Sequence, residues 1–250
     1  MKSFIFLALL VLASCSSDKP KGKSEAEVLY KEAQELMKAD RFILATEKLN
    51  QIKTQHPYSF YATPAELMLA DVQYKQESYI ESAASYLLFR DFHPKHEQIA
   101  YVVFMIAESY YRQLPSTIDR DLESGTEALK FYEELISKYP ADPNVEKARS
   151  RINKITKMLR EKDYYIADFY FKTEVWQAAR WWYQDILERY KEGDPIPHHA
   201  MVRMVGASNQ MKKWDECLAL VEKFTPIVDK ESQEKIKSWE RLCKKHETRY

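Results

Sequence analysis

The sequence predicts an all-α protein: a superhelical stack of about five helix pairs, with a long bridging helix inside it and a capping helix at the C-terminus. Three observations carry this. One helical grammar recurs along the chain. Glycine, which hairpins and phosphate-cradling loops need, occurs only 4 times in 250 residues. Proline tends to fall at the ends of the recurring segments, where the missing N–H stops the helical ladder.

The recurring segment is clearest from Asp40 to Pro57, DRFILATEKLNQIKTQHP. A small residue, Ala45, is followed by apolar residues four and seven positions on, Leu49 and Ile52, on one helical face. Ser82 leads to Tyr86 and Phe89, Ala128 to Tyr132 and Leu135, Ala179 to Tyr183 and Ile186, and Cys217 more loosely to Val221 and Phe224. Pro57, Pro94 and Pro140 close the first three copies, and Lys191 stands in that slot in the fourth. A helix with one apolar stripe cannot bury it alone, so such copies stack.

Each copy is preceded by a partner helix. Lys23–Ala39 carries Ala26, Leu29, Ala33 and Leu36 on one face. Ala33 precedes Ala45 by the same interval as Ala70 precedes Ser82 and Ala167 precedes Ala179, a small residue on each helix where backbones approach. This spacing resembles the tetratricopeptide repeat. The third copy departs from it, with Ala107 and Ala128 farther apart. The extra residues fall in Gln113–Ser124, where Pro115 and Asp119-Arg120-Asp121 read as a loop, either a binding element or a tolerated surface insertion. From Val145 to about Phe171 apolar residues keep helical spacing without Gly or Pro, which predicts one long bridging helix, with Asn144 placed to cap it. Asp229–Lys245, with Ile236, Trp239 and Leu242 on one stripe, is the expected capping helix.

The N-terminus adds an address. Lys2 precedes the apolar run Phe4–Ala13, too short to span a bilayer. It ends in Leu12-Ala13-Ser14-Cys15, which resembles the bacterial lipobox, with cleavage before Cys15 and acylation of that residue. An ordinary signal cut near Ala13 is the weaker reading. Ser16 resembles the residue that follows the lipid-bearing cysteine in lipoproteins sorted to the outer membrane. The organisation is therefore a signal peptide over 1–14, a tether over 15–24, three repeats over 25–141, the long helix and fourth repeat over 142–192, and a fifth repeat with its cap over 193–250. With Cys15 acylated, Cys217 and Cys243 remain. Cys217 occupies a small-residue slot, and a buried free thiol is favoured over a bridge to Cys243.

Catalytic chemistry is not legible. Lys+Arg 38 against Asp+Glu 38 leaves no electrostatic footprint for nucleic acid. There is no nucleophile elbow, P-loop or dinucleotide turn. His93 and His96 lack the companions of a zinc site, and His198-His199 reads as a solvated pair. No cofactor, metal or enzymatic activity is expected. Arg180-Trp181-Trp182 is different: adjacent indoles cannot both face inward, so at least one lies near the surface or under a neighbouring element. Arg and Trp are common interface anchors.

Taken together, the lipobox at Cys15, LYKEAQELMKADRFILATEKL, HPYSFYATPAELMLADVQYKQESYIESAASYLLFRDFHP, the Arg120-Asp121 loop and LREKDYYIADFYFKTEVWQAARWWYQDIL resemble the BamD-type lipoproteins of the outer-membrane β-barrel assembly machine. The likeness covers about residues 25–192. It implies a periplasm-facing, lipid-anchored scaffold of the outer membrane. Its partners would be unfolded outer-membrane proteins, held by an extended C-terminal signal, and a periplasmic domain of the central barrel subunit. By repeat register, the groove positions are Tyr30, Gln34, Met37, Leu67, Asp71 and Tyr74, with Asp71 and Gln34 pairing with peptide backbone; ordinary inter-repeat packing is the competing role for each. Arg180, Trp181, Trp182, Asp119, Arg120 and Asp121 are candidates for partner docking. The alternatives are a pilot lipoprotein for secretin or pilus assembly and, with less support, a glycan-binding lipoprotein.

Overall fold

The computed structural model describes residues 22–191 and 195–247. The signal segment, Cys15 and Ser16 lie outside the described residues. Among the described residues there are eleven α-helices and no strand, so the protein is all-α. None of these helices is long and apolar enough to cross a membrane.

The chain divides into two compact units at Val102–Val103. Unit 1 contains α1 (Glu25–Lys38), α2 (Phe42–Gln55), α3 (Ala62–Lys75) and α4 (Tyr79–Phe92). Helix α5 (Ile99–Arg112) begins in unit 1 and continues into unit 2. Unit 2 goes on with α6 (Glu123–Lys138), α7 (Val145–Lys172), α8 (Trp176–Arg189), α9 (His198–Gln210), α10 (Trp214–Phe224) and α11 (Lys230–Glu247). Helix α6 packs on α7 and so groups with the long helix in unit 2.

In unit 1, α1 packs on α2, α2 on α3 and α3 on α4. Ala33 and Ala45 are both fully buried, as are Ala70 and Ser82, so the small residues do sit where helices meet. Ser82 has no space to leave its hydroxyl unpaired and donates it to the Ala70 carbonyl (3.2 Å). Leu49, Ile52 and Val72 fill the core between the pairs. In unit 2, α9 is the central helix, packed against by α8, α10 and α11. That explains its composition: every residue from Ala200 to Asn209 except Arg203 is buried. Gly206 is needed there, since a Cβ would meet the Trp239 ring of α11 at 2.9 Å.

Four of the five helix pairs share one connection. Asp40, Glu77, Glu174 and Lys212 each adopt left-handed backbone (φ 54°, 62°, 64° and 59°), five residues before the small residue of the second helix. The next residue's N–H closes back on the first helix: Arg41 to the Leu36 carbonyl (2.8 Å), Ser78 to Gln73 (3.0 Å), Val175 to Tyr170 (2.9 Å) and Lys213 to Ser208 (3.0 Å). This is the Schellman closure, which favours glycine at the left-handed position. All four side chains are exposed. Glu174→Gly and Lys212→Gly are each expected to stabilise the protein by about 0.5–1 kcal/mol, read as a higher urea midpoint at unchanged slope; a lower midpoint would contradict the closure.

The long helix runs Val145–Lys172, close to the expected span. Its cap differs. Asn144 makes no side-chain capping bond to the helix. Asp142 Oδ1 instead accepts from both the Asn144 N–H (2.8 Å) and Asn144 Nδ2 (3.0 Å), so the turn before the helix is what is tied. The thiol expectation is also corrected. Cys217 on α10 is fully buried but not free: it is bridged to Cys243 on α11, with Cα atoms 6.4 Å apart. Asn209 Nδ2 of α9 donates to Cys243 Sγ (3.0 Å). Sequence periodicity placed Cys217 on a buried face but could not set its distance to Cys243.

Candidate functional site

The repeat register carries a polar pattern that the apolar reading missed. Tyr86, Tyr132 and Tyr183, each four residues after the small residue of a second helix, are fully buried. A phenol buried without a partner costs roughly 1–3 kcal/mol. Each is met by a carboxylate one position after the small residue of the first helix. Tyr86 donates to Asp71 Oδ1 (2.5 Å), Tyr132 to Glu108 Oε1 (2.6 Å) and Tyr183 to Asp168 Oδ1 (2.6 Å). The first repeat has Leu49 and Gln34 in these two slots, and the fifth has Val221 and Gly206, so where no phenol is buried no acid stands opposite. The signal was available in the sequence as paired positions Tyr–Asp, Tyr–Glu and Tyr–Asp in register.

The three acids have different surroundings. Asp71 also accepts from Tyr101 (2.7 Å). Burial raises its carboxyl, and the two phenol bonds only partly offset that. Glu108 is 1% exposed, with Lys147 Nζ 3.0 Å from one oxygen and Arg151 Nε 3.1 Å from the other. Burial alone raises it, but Tyr132, Lys147 and Arg151 together outweigh burial and hold it below the usual carboxylate range. Arg151 also lies over the Tyr111 ring at 4.1 Å. At Asp168 burial is again opposed, here by His199 and Tyr183, and the net direction is down. Burial beside these acids pushes all three phenols up. His199 Nε2 sits 2.7 Å from Asp168 Oδ1 and its ring meets Tyr164 and Tyr183. It is therefore not the simply solvated histidine expected from its place at a helix start.

These contacts revise the groove set in unit 1. Asp71 Oδ1 serves two internal phenols, so that oxygen is engaged inside the unit. Leu67 is buried, at 5% exposure. Tyr30 is half-buried, bonded to Gln34, close to Asp71 and packed on the Tyr61 ring at 5.4 Å. Met37 packs on the same apolar cluster. Tyr74 meets the Tyr79 ring edge-on at 5.3 Å. The structure thus brings Tyr30, Gln34 and Asp71 near one another, all three partly open to solvent.

In unit 2 the docking candidates separate. Trp181 is 60% exposed, whereas Trp182 packs against the α8–α11 core. Arg180 is engaged inside the unit, donating to Glu216 of α10, which also accepts from Ser208 of α9 (2.9 Å). Of that triplet only the Trp181 indole is largely open. The loop residues Asp119, Arg120 and Asp121 are exposed. Asp121 Oδ1 accepts from the Glu123 N–H (3.0 Å) and starts α6, and Lys162 of α7 donates to the Arg120 carbonyl. The inserted loop is therefore pinned at its backbone, with the Asp119 and Arg120 side chains outward. A cleft of about 460 Å³, lined by Arg160, Tyr164, Ile186, Tyr190 and Ile196, was not foreseen. Among the described residues no group of three His, Cys, Asp or Glu could hold a metal ion.

Helix pairs joined by one repeated turn, with buried phenol–acid pairs between them, define a helical-repeat protein. The chain belongs to the YfiO family of outer membrane lipoproteins, whose pattern matches residues 22–217. Its relatives include the outer membrane protein assembly factor BamD of Vibrio cholerae, 28% identical over 74% of this chain and 81% of that protein. BamD of Rickettsia prowazekii is 28% identical over 73% of each chain, and that of Caulobacter vibrioides 24% over 80% of this chain and 68% of its own. Among solved structures, a tetratricopeptide repeat protein from Parabacteroides merdae aligns over 89% of this chain and 92% of its own at 15% identity and a TM-score of 0.40.

Proposed function

We propose that this chain is a non-enzymatic scaffold of outer-membrane β-barrel assembly, anchored through an acylated Cys15 and facing the periplasm. In this reading unit 1 holds the extended C-terminal signal of an unfolded barrel protein, and unit 2 docks on a periplasmic domain of the central barrel subunit. The observation that carries it is the family match, which runs through both units. The geometry adds a division of labour. Asp71, fixed by Tyr86 and Tyr101, forms a rigid floor. Tyr30, Gln34, Met37 and Tyr74 offer an amide partner and apolar walls to an extended peptide. The exposed Trp181 and the outward side chains of Asp119 and Arg120 are the docking residues of unit 2, while Arg180 holds α8 to α10.

The test is binding of a synthetic peptide with the C-terminal sequence of a barrel protein to the full mature chain carrying Cys15→Ala. Gln34→Arg with Tyr74→Ala is expected to weaken binding about tenfold or more, the scale of one lost buried hydrogen bond and one lost aromatic contact. Melting should fall modestly with the lost Tyr74–Tyr79 and Tyr30–Gln34 contacts, so affinities are compared at a temperature where both proteins are folded. Unchanged affinity in the double variant would remove the groove from unit 1.

A further inference from the structure

Unit 1 leaves three large aromatic side chains uncovered at one end. Tyr58 is 101% exposed, Phe60 86% and Phe92 75%. Tyr58 and Phe60 lie in the α2–α3 connection, and Phe92 is the last residue of α4. Two contacts place them together. His93, the residue after Phe92, is 2.9 Å from Glu66 in α3, the helix that starts just after Phe60 and Tyr61. His56, which opens the α2–α3 connection, is 3.5 Å from Glu25, the first residue of α1. The rings therefore lie at the end of unit 1 at which the chain enters from its N-terminus.

That entry point limits what can face this end. Six residues lie between Cys15 and Gly22, where the described structure starts, so seven residue steps join the two. Fully extended, they span at most about 25 Å. Acylation of Cys15 would thus hold Gly22, at the ring-bearing end of unit 1, within that distance of the bilayer. Exposed charges around the rings balance: Lys23, Lys53 and Lys95 against Glu25, Asp91 and Glu97. Electrostatic attraction to anionic lipid is therefore not what the surface is built for. Uncovered Tyr and Phe beside balanced charge suit the interfacial layer of a bilayer, where amphipathic rings accumulate.

We propose that Tyr58, Phe60 and Phe92 form a membrane-contact surface that seats unit 1 against the lipid headgroup layer beside its anchor. The proposal rests on the Cys15 anchor of the preceding section only for its location, so the test removes the anchor. The full mature chain with Cys15→Ser is floated with vesicles of phosphatidylethanolamine and phosphatidylglycerol, beside the same chain with Tyr58→Ser and Phe60→Ser. The expected result is measurable partition of the first protein. It should be little changed between low and high salt and fall about tenfold or more in the second, with the same thermal melting. No partition of the first protein, equal partition of the two, or partition abolished by salt would overturn the surface. If the ring variant keeps vesicle binding but loses a co-purifying envelope protein, the rings contact protein and the proposal fails. Peptide binding to unit 1 is read separately, so loss of the client groove and loss of the membrane surface give different results.

Discussion

Replacing Glu108 with alanine is expected to destabilise unit 2 by about 3–5 kcal/mol, the cost of removing one member of a buried charge cluster. Lys147 and Arg151 would each lose their carboxylate, and the buried Tyr132 hydroxyl its acceptor. Part of the loss is recoverable, because Lys147 is half exposed and can turn to water, whereas the fully buried Tyr132 cannot. Glu108→Gln keeps an acceptor for Tyr132 and loses the charge, so it should cost less, about 2 kcal/mol. The two variants also differ from the parent in pH dependence. The folded carboxyl lies below the ordinary range, so its stabilisation is fully present above the unfolded value, about 4.3, and is lost as pH falls through the folded value. The gap between parent and Glu108→Gln should therefore be wide at pH 7 and close in acid. All five tryptophans lie between Trp176 and Trp239, within unit 2, so urea unfolding followed by tryptophan fluorescence reads the right unit. A gap that stays constant with pH would show that Glu108 acts by shape and not by charge.

The second large effect is expected at the Cys217–Cys243 bridge. The cysteines are 26 residues apart, and a loop of that length removes roughly 3.5 kcal/mol of unfolded-chain entropy on closure. Without it, α11 is held by Ile236, Trp239 and the contacts of a helix that is otherwise strongly polar. Reduction in denaturant, or the double change Cys217→Ala with Cys243→Ala, should lower the unit 2 midpoint accordingly. Both sulfurs are fully buried, so a mild reductant should act slowly on the native protein and quickly in urea. Rapid reduction without urea would mean that α11 opens readily. A bridge of this kind persists in oxidising compartments, which suits the periplasm-facing placement proposed above.

The apolar half of the structure was legible. Pro57, Pro94 and Pro140 mark helix ends, and the small residues at twelve-residue spacing sit at the buried crossings in the repeats without an insertion. The length of α7 followed from a stretch with no Gly or Pro. The polar half was legible only in pairs. Asp71 read alone is a partly exposed acid on the face of α3. Read with Tyr86 in the next helix it is the acceptor a buried phenol requires. Arg180 showed the same limit: one residue from two tryptophans it reads as an interface anchor, but Glu216, a helix pair away, engages it. Distance also escaped the pattern. Cys217 was placed correctly in the core, yet its bridge depends on where α11 returns. Surface roles were the least legible, because exposure of Trp181 rather than Trp182 is decided by a rotation of one residue.

Membership of an outer-membrane assembly complex through a lipid anchor is tested directly by one measurement. The C-terminally tagged protein is recovered from envelope membranes in gentle detergent, beside its Cys15→Ala form, and the co-purifying proteins are identified. The expected result is a large outer-membrane β-barrel with periplasmic domains, recovered with the parent, and loss of the Cys15→Ala form from the membrane fraction. A secretin or pilus component in its place, or a protein that is soluble and solitary in both forms, would contradict the account.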